Sequence, residues 1–350
     1  MNEQKLNDAV GRTIADLGGA YSIGLVRIGT ALGLYEALRD LGPLTSAELA
    51  EATGLAERYV REWLAHHAAS RYVAYDPAAR RFSLPPEQAA ILADEDSPYY
   101  MADAFECAAA YVENHSKVEA AFRTGDGIGW GDQSSCLFCA VARFFRPGYR
   151  TNIVDYWLPA LEGVVEKLER GARVADVGCG HGYSTLMMAE AFPNSEFIGF
   201  DFHAASIEAA RRHAVGHGVN GNVSFEVATA KAFPGTDYEL VTTFDCVHDM
   251  GDPVGAARHV HGSLKPGGSW MIVEPFAHDR LEDNLNPVSR LYYAASTVLC
   301  VPTSLDQEVG AALGAQAGEA RLQEVVVAAG FENCRRAAAT PFNLILEARK

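Results

Sequence analysis

The stretch Arg173-Val-Ala-Asp-Val-Gly-Cys-Gly-His-Gly182 constrains the fold of this chain more than any other. Val174, Ala175 and Val177 make a short apolar run, the pattern of a strand buried on both faces, with Asp176 near its end. Glycines follow at 178, 180 and 182. Tyr183–Phe192 then has the apolar content of a helix packed on a sheet, and Pro193 closes it. Strand, glycine turn and helix form the opening unit of a nucleotide-binding α/β domain. The backbone must turn tightly there and admit a ligand without a Cβ in the way.

The spacing narrows the ligand. A dinucleotide fingerprint reads G-x-G-x-x-G and offers a helix N-terminus to pyrophosphate. Here the order is D-x-G-x-G-x-G, with an acid two residues before the first glycine. A carboxylate there repels pyrophosphate but accepts hydrogen bonds from an ammonium group, which suits the methionine end of S-adenosylmethionine (AdoMet). Twenty-five residues after Asp176, the strand Glu196-Phe-Ile-Gly-Phe-Asp201 also ends in an acid. A carboxylate at that tip can hold ribose hydroxyls through charge-assisted hydrogen bonds. An unspecialised glycine-rich turn and an NAD site are the alternatives.

These residues resemble the glycine motif and second-strand acid of class I AdoMet-dependent methyltransferases, a likeness that covers about residues 160–350. It implies an α/β, Rossmann-like sheet of seven strands, mostly parallel, with the last strand antiparallel. It also implies AdoMet as cofactor, with S-adenosylhomocysteine as product. The cofactor shell carried over is Asp176, Gly178, Gly180, Gly182, Asp201, Phe202, Thr229, Ala230 and Phe244. Thr229 departs from the family, which often places an aspartate against the adenine.

Tyr238–Asp245 reads as the fourth strand, and ligands in open α/β sheets collect beyond the carboxyl ends of strands. Cys246-Val-His-Asp-Met-Gly-Asp252 follows at that end. Methyl transfer to a hydroxyl needs positioning and a base, and histidine titrates in the right range. His248 with Asp249 resembles the H-D-x-x-D stretch of O-methyltransferases, which implies His248 as base. Glu274, ending the fifth strand, matches a family position that can orient the histidine. The alternatives are a helix-capping His-Asp pair and a surface acid. Leu264-Lys-Pro-Gly-Gly268 reads as the turn before the fifth strand, and 277–318 as an insertion that walls an acceptor pocket in this family.

The N-terminal part reads as helices over Asn2–Leu41, with Leu25, Ile28, Leu32, Leu34, Tyr35 and Leu38 on one apolar face. A capped start at Thr45-Ser-Ala-Glu48 leads a short helix ended by Gly54. Another helix spans Glu57–Ala69, with Tyr59, Val60, Trp63 and Leu64 inward. A hairpin over 71–84 turns at Asp76-Pro77. This is the order of a winged helix-turn-helix. Between Thr45 and Leu92, five Lys and Arg face six acids, whereas a groove reader presents a basic face. The segment instead resembles the dimerisation domain of small-molecule O-methyltransferases, implying a homodimer. Residues 85–151 read as aromatic-rich helices broken by Gly125–Gly131, a lid or interdomain core.

Composition sets the outer limits. With 350 residues, 49% hydrophobic and 21% charged, the chain can bury a sizeable core. A formal charge of −16 argues against nucleic acid or an anionic membrane as the main partner. No apolar run approaches the ~20 residues of a membrane span, and no signal peptide is evident. Seven scattered cysteines fit a reducing cytoplasm. Cys136-Leu-Phe-Cys139 lacks a second ligand pair downstream, so no metal site is expected. The expected domains are 1–95 (winged helix), 96–155 (helical linker or lid) and 156–350 (methyltransferase). The expected function is methyl transfer to a small-molecule acceptor. Alternatives are an N-, S- or C-methyltransferase without a base, or an AdoMet-sensing winged-helix regulator.

Overall fold

The computed structural model describes residues 1–217, 219 and 221–350, apart from the side chains of Ser135 and Cys136. The question of Cys136 as half of a metal or redox pair therefore lies outside the described residues. The chain divides into two compact units, 1–112 with 143–148, and 113–142 with 149–350. The expected linker, 96–155, is shared between them.

The first unit is mostly helical. α1 (Glu3–Ala31) ends where Gly33 takes a left-handed conformation, and α2 (Leu34–Leu41) starts there. The continuous apolar face expected across this region is thus split between two helices. Tyr35 and Leu38 enter the core, whereas Ile28 and Leu32 are exposed. α3 (Ser46–Thr53) carries the reciprocal cap expected of T-x-x-E: Thr45 Oγ1 accepts from the Glu48 backbone, and Glu48 accepts from the Thr45 backbone. α4 (Glu57–Ala69) buries Val60, Trp63 and Leu64. Tyr59 does not join them and is 81% exposed, because it lies a helical step away from that stripe. β1 (Ala74–Asp76) and β2 (Arg81–Ser83) pair antiparallel as the wing, and α5 (Pro86–Leu92) returns to the core.

The second unit is built on seven strands: β3 (Arg173–Val177), β4 (Glu196–Asp201), β5 (Val223–Val227), β6 (Tyr238–Phe244), β7 (Leu264–Pro275), β8 (Asn333–Ala339) and β9 (Asn343–Arg349). Their order across the sheet is β5-β4-β3-β6-β7-β9-β8. β3 through β7 pair parallel, and β9 runs antiparallel to both its neighbours, as the family resemblance implied. β3, β6 and β9 are almost wholly buried, as strands covered on both faces must be. Leu264–Gly268 belongs to the start of β7 itself, with a register shift against β6 where Gly267 takes a positive φ. The strand order reverses between β3 and β6, which places a crevice beyond their carboxyl ends.

Among the described residues, no single helix is long and apolar enough to cross a membrane.

Candidate active site

The turn after β3 is fastened to the end of β4. Gly178 N and Cys179 N both donate to Phe200 O, at 2.7 and 3.0 Å. Gly180 N donates to Asp201 Oδ2 (3.0 Å), and His203 N donates to Oδ1 (2.8 Å). Burial lifts the pKa of Asp201, while the His203 and Gly180 amides pull it back toward the carboxylate. Asp201 therefore joins two strand ends and keeps lone pairs for a further donor.

Two of the three glycines have different reasons to be glycine. At Gly178, with φ +77°, a Cβ would come 2.7 Å from Cys246 Sγ. At Gly180, with φ +53°, a Cβ would meet nothing within 4 Å. The first makes room for the protein's own side chain, and the second borders open space at the mouth of the crevice. Gly182 sits at the start of the helix Tyr183–Ala191.

Asp176 is turned inward. Its Oδ2 accepts from Ser184 Oγ (2.7 Å) and Thr185 Oγ1 (2.6 Å), and its Oδ1 accepts from Thr242 Oγ1 (2.9 Å). Burial raises its pKa, and the three hydroxyls oppose the rise. The carboxylate thus pins β3, β6 and the first turn of the following helix together. Phe202 follows Asp201 and is 52% exposed. Thr229 and Ala230 lie in the turn after β5, Thr229 exposed and Ala230 half-buried. Ala228 N donates to Asp201 O (3.0 Å), which holds that turn beside the end of β4. Phe244 is buried, its ring 5.2 Å from Tyr149 and 6.3 Å from Trp157.

The second cluster grows from the ends of β6 and β7. His248 lies in the 3₁₀ turn Val247–Asp249 and is buried. Its Nδ1 is hydrogen-bonded to Glu274 Oε2. The other oxygen, Oε1, accepts from Val247 N (2.8 Å) and Cys246 N (3.2 Å). One buried carboxylate thus fixes both the imidazole and the backbone that carries it. Burial disfavours the charged imidazole, but Asp249 and Glu274 outweigh it and hold the His248 pKa well above its ordinary value. Asp249 Oδ1 is 3.2 Å from His248 Nε2, and burial raises the Asp249 pKa. All three residues expected to act in catalysis are therefore together. Cys246 connects the two clusters, since its Sγ packs over Gly178 and donates to Val177 O (3.4 Å).

Several residues here were not expected at the catalytic centre from the sequence. Asp245 has φ +49° and a buried carboxyl that accepts from Tyr149 Oη (2.9 Å) and Asn343 Nδ2 (3.1 Å). Burial, with Glu274 nearby, pushes its pKa up to about 8. Cys300 closes a π-helical turn, Ser296–Cys300, and its thiol, pushed up to about 12 by burial, reaches both His248 and Asp249. Phe138, whose aromatic character had marked it only as lid or core, sits 4.8 Å ring to ring from His203, next to Asp201.

Comparison with known proteins bears on this geometry. Residues 168–329 match the methyltransferase domain family, and residues 20–94 match the Rv2258c-like winged HTH domain. Phosphoethanolamine N-methyltransferase 3 of Arabidopsis thaliana is 34% identical over 109 residues, 31% of this chain and 22% of that protein. The first curated relatives are matched over 22% to 56% of their own lengths. The structure of mitomycin 7-O-methyltransferase superposes with a TM-score of 0.72 at 19% identity, covering 99% of this chain and 100% of that one. Human N-acetylserotonin methyltransferase, solved in complex with SAM, gives 0.68 at 17% identity over 97% of each chain. At such identities the likeness establishes the fold. Residues 168–329 therefore form a methyltransferase domain with the class I fold, preceded in sequence by a winged helix-turn-helix domain.

Proposed function

We propose that the chain transfers a methyl group from AdoMet to a small-molecule acceptor, most readily a hydroxyl, with His248 as general base. The observation that carries this reading is the Glu274–His248 pair, held beside the glycine turn through Cys246. AdoMet supplies an activated methyl group on its sulfonium, and the chain supplies positioning and a proton acceptor. Asp201 retains acceptor capacity for ribose hydroxyls. Gly180 lets the backbone approach the ligand, while Gly178 and Gly182 leave room for Cys246 and Phe225 and so keep the turn tight beneath it. Phe202, Thr229 and Ala230 are the residues that would line the adenine, with buried Phe244 as support. Asp176 acts mainly by shaping the turn and offers the ammonium group its remaining acceptor capacity. With Nδ1 held by Glu274, His248 presents Nε2 to the acceptor proton, and Asp249 favours the imidazolium that results.

Calorimetry with AdoMet and S-adenosylhomocysteine tests the reading. The wild type binds both, and Asp201→Ala loses roughly 10- to 100-fold, the value of about one hydrogen bond to a charged group. A chain that takes up neither ligand would not be a methyltransferase of this kind.

We assign the working parts as 1–95, 96–155 and 156–350, in a cytoplasmic protein. The first acts as a homodimer module. On α1, Leu6, Val10, Ile14, Leu17 and Tyr21 recur every three or four residues and are all exposed, a stripe suited to a second copy. Sedimentation equilibrium should show a dimer that Ile14→Glu with Leu17→Glu dissociates. A DNA-reading regulator is the poorer fit: on α4, Arg58 is paired with Glu62 and Arg61 with Glu57. Binding of duplex DNA at low salt, lost on Arg58→Ala with Arg61→Ala, would reverse that preference.

A further inference from the structure

We propose that His248, Asp249 and Cys300 form a binding site for a borderline divalent cation of the zinc class. One ligand atom from each residue can be chosen so that all three lie within 4.8 Å of one another. Bonds of about 2.0 Å to nitrogen or oxygen and about 2.3 Å to sulfur set ligand atoms about 3.3–3.6 Å apart round a tetrahedral ion. The 3.2 Å between His248 Nε2 and Asp249 Oδ1 is already close to that spacing. Small side-chain movements would bring in the sulfur.

Three further observations point the same way. Asp249 Oδ1 is buried and makes no hydrogen bond of good geometry, its neighbour being His248 Nε2 at 3.2 Å, so an ion between the two would satisfy both atoms. Behind the imidazole, Glu274 engages Nδ1, the arrangement that fixes the tautomer of metal-ligating histidines and leaves Nε2 for the ion. Cys300 arrives from a different segment, on a π-helical turn, a distortion found frequently at functional sites. Mixed nitrogen, oxygen and sulfur ligation selects zinc, or cobalt as its spectroscopic substitute, over magnesium or calcium. Three protein ligands leave a tetrahedral ion one position for water or an acceptor heteroatom.

Binding displaces the proton on Nε2 and the thiol proton of Cys300. The ion then occupies the lone pair that a general base needs, so ion uptake silences the base. That effect on turnover rests on the methyl-transfer reading, whereas the site itself does not.

The test is titration of the full-length protein with Co²⁺. One equivalent binds, with a thiolate-to-cobalt charge-transfer band that excess Zn²⁺ removes. Cys300→Ala abolishes the band, and Glu274→Gln weakens binding 10- to 100-fold. Should Cys300→Ala fail to fold by circular dichroism, Asp249→Asn decides: it must weaken binding at least about tenfold. A band that persists in Cys300→Ala, or cobalt affinity unmoved by Asp249→Asn, overturns the proposal. A chain that methylates but takes up no cobalt overturns the site and leaves the methyltransferase reading standing. One that binds cobalt through Cys300 but never transfers a methyl group supports the site and overturns that reading.

Discussion

Glu274 holds His248 twice over, by its imidazole Nδ1 through Oε2 and by the amides of Cys246 and Val247 through Oε1. The ring therefore cannot turn without losing its bond to the carboxylate that also anchors the turn carrying it. His248→Ala should lower kcat by about 10²–10⁴, the usual worth of a positioned base. Glu274→Gln keeps an acceptor for the amides but removes the charge beside the ring. It should cost at least about tenfold in kcat, as when the carboxylate behind a catalytic imidazole is neutralised. Steady-state kinetics on an identified acceptor decides. A loss under about tenfold in His248→Ala would mean that the acceptor attacks unaided.

The same geometry sets a pH dependence. A base must lose its proton before it can act, and the His248 pKa is held well above 6.5. The acid limb of kcat/KM should therefore rise at a pH higher than free imidazole would give. Of the two carboxylates that raise it, Asp249 contributes more than Glu274, so Asp249→Asn should move the limb to lower pH. A limb that stays in place would show that a different group titrates.

Asp245 makes a prediction about stability. Its folded pKa, about 8, lies above the unfolded carboxylate value of 3.8. The folded state then binds more protons than the unfolded one between those limits, so stability declines as pH rises from about 4 to about 8. Asp245→Asn cannot ionise and still offers an acceptor to Tyr149 or Asn343. Urea unfolding across this range should show a flatter pH profile for the variant. Parallel profiles would mean that Asp245 is ionised in the folded protein.

The two glycines should part company. Gly178→Ala combines a left-handed backbone with a Cβ 2.7 Å from Cys246 Sγ, and should destabilise by about 2–4 kcal/mol. Gly180→Ala meets no atom within 4 Å and should cost about 1–2 kcal/mol of backbone strain alone. Its larger effect should be on AdoMet affinity. Urea midpoints and calorimetry separate the two, and equal destabilisation would contradict the packing at Cys246.

Local patterns carried much of this into the sequence. The glycine turn, the acid ending β4, the Thr45 cap and the apolar runs of β3, β6 and β9 are each written in a few consecutive residues. The His248–Asp249 and Glu274 positions also stood out, because strand ends are where open sheets collect ligands. What stayed hidden depends on contacts remote in sequence. β8, Asn-Cys-Arg-Arg-Ala-Ala-Ala, has no alternation and no β-branched residue, and forms because β9 offers it an unpaired edge. Asp245 looked like the end of a strand, yet Asn343 reaches it from 98 residues away. Asp176 read as a ligand for an ammonium group, and the hydroxyls of Ser184, Thr185 and Thr242 that also hold its oxygens could not be foreseen from the local pattern. Tyr59 fell on the wrong side of its helix because one apolar neighbour more or less leaves the stripe ambiguous.

β9 lies inside the sheet, between β7 and β8, and its first residue, Asn343, is the one that bonds Asp245. During synthesis, every other strand emerges before it. A nascent chain halted short of residue 343 has β7 exposed along one side and β8 with nothing to join. The cleft then lacks one of the two donors to Asp245. The sheet is thus completed near one edge, where β9 must insert between two strands already made.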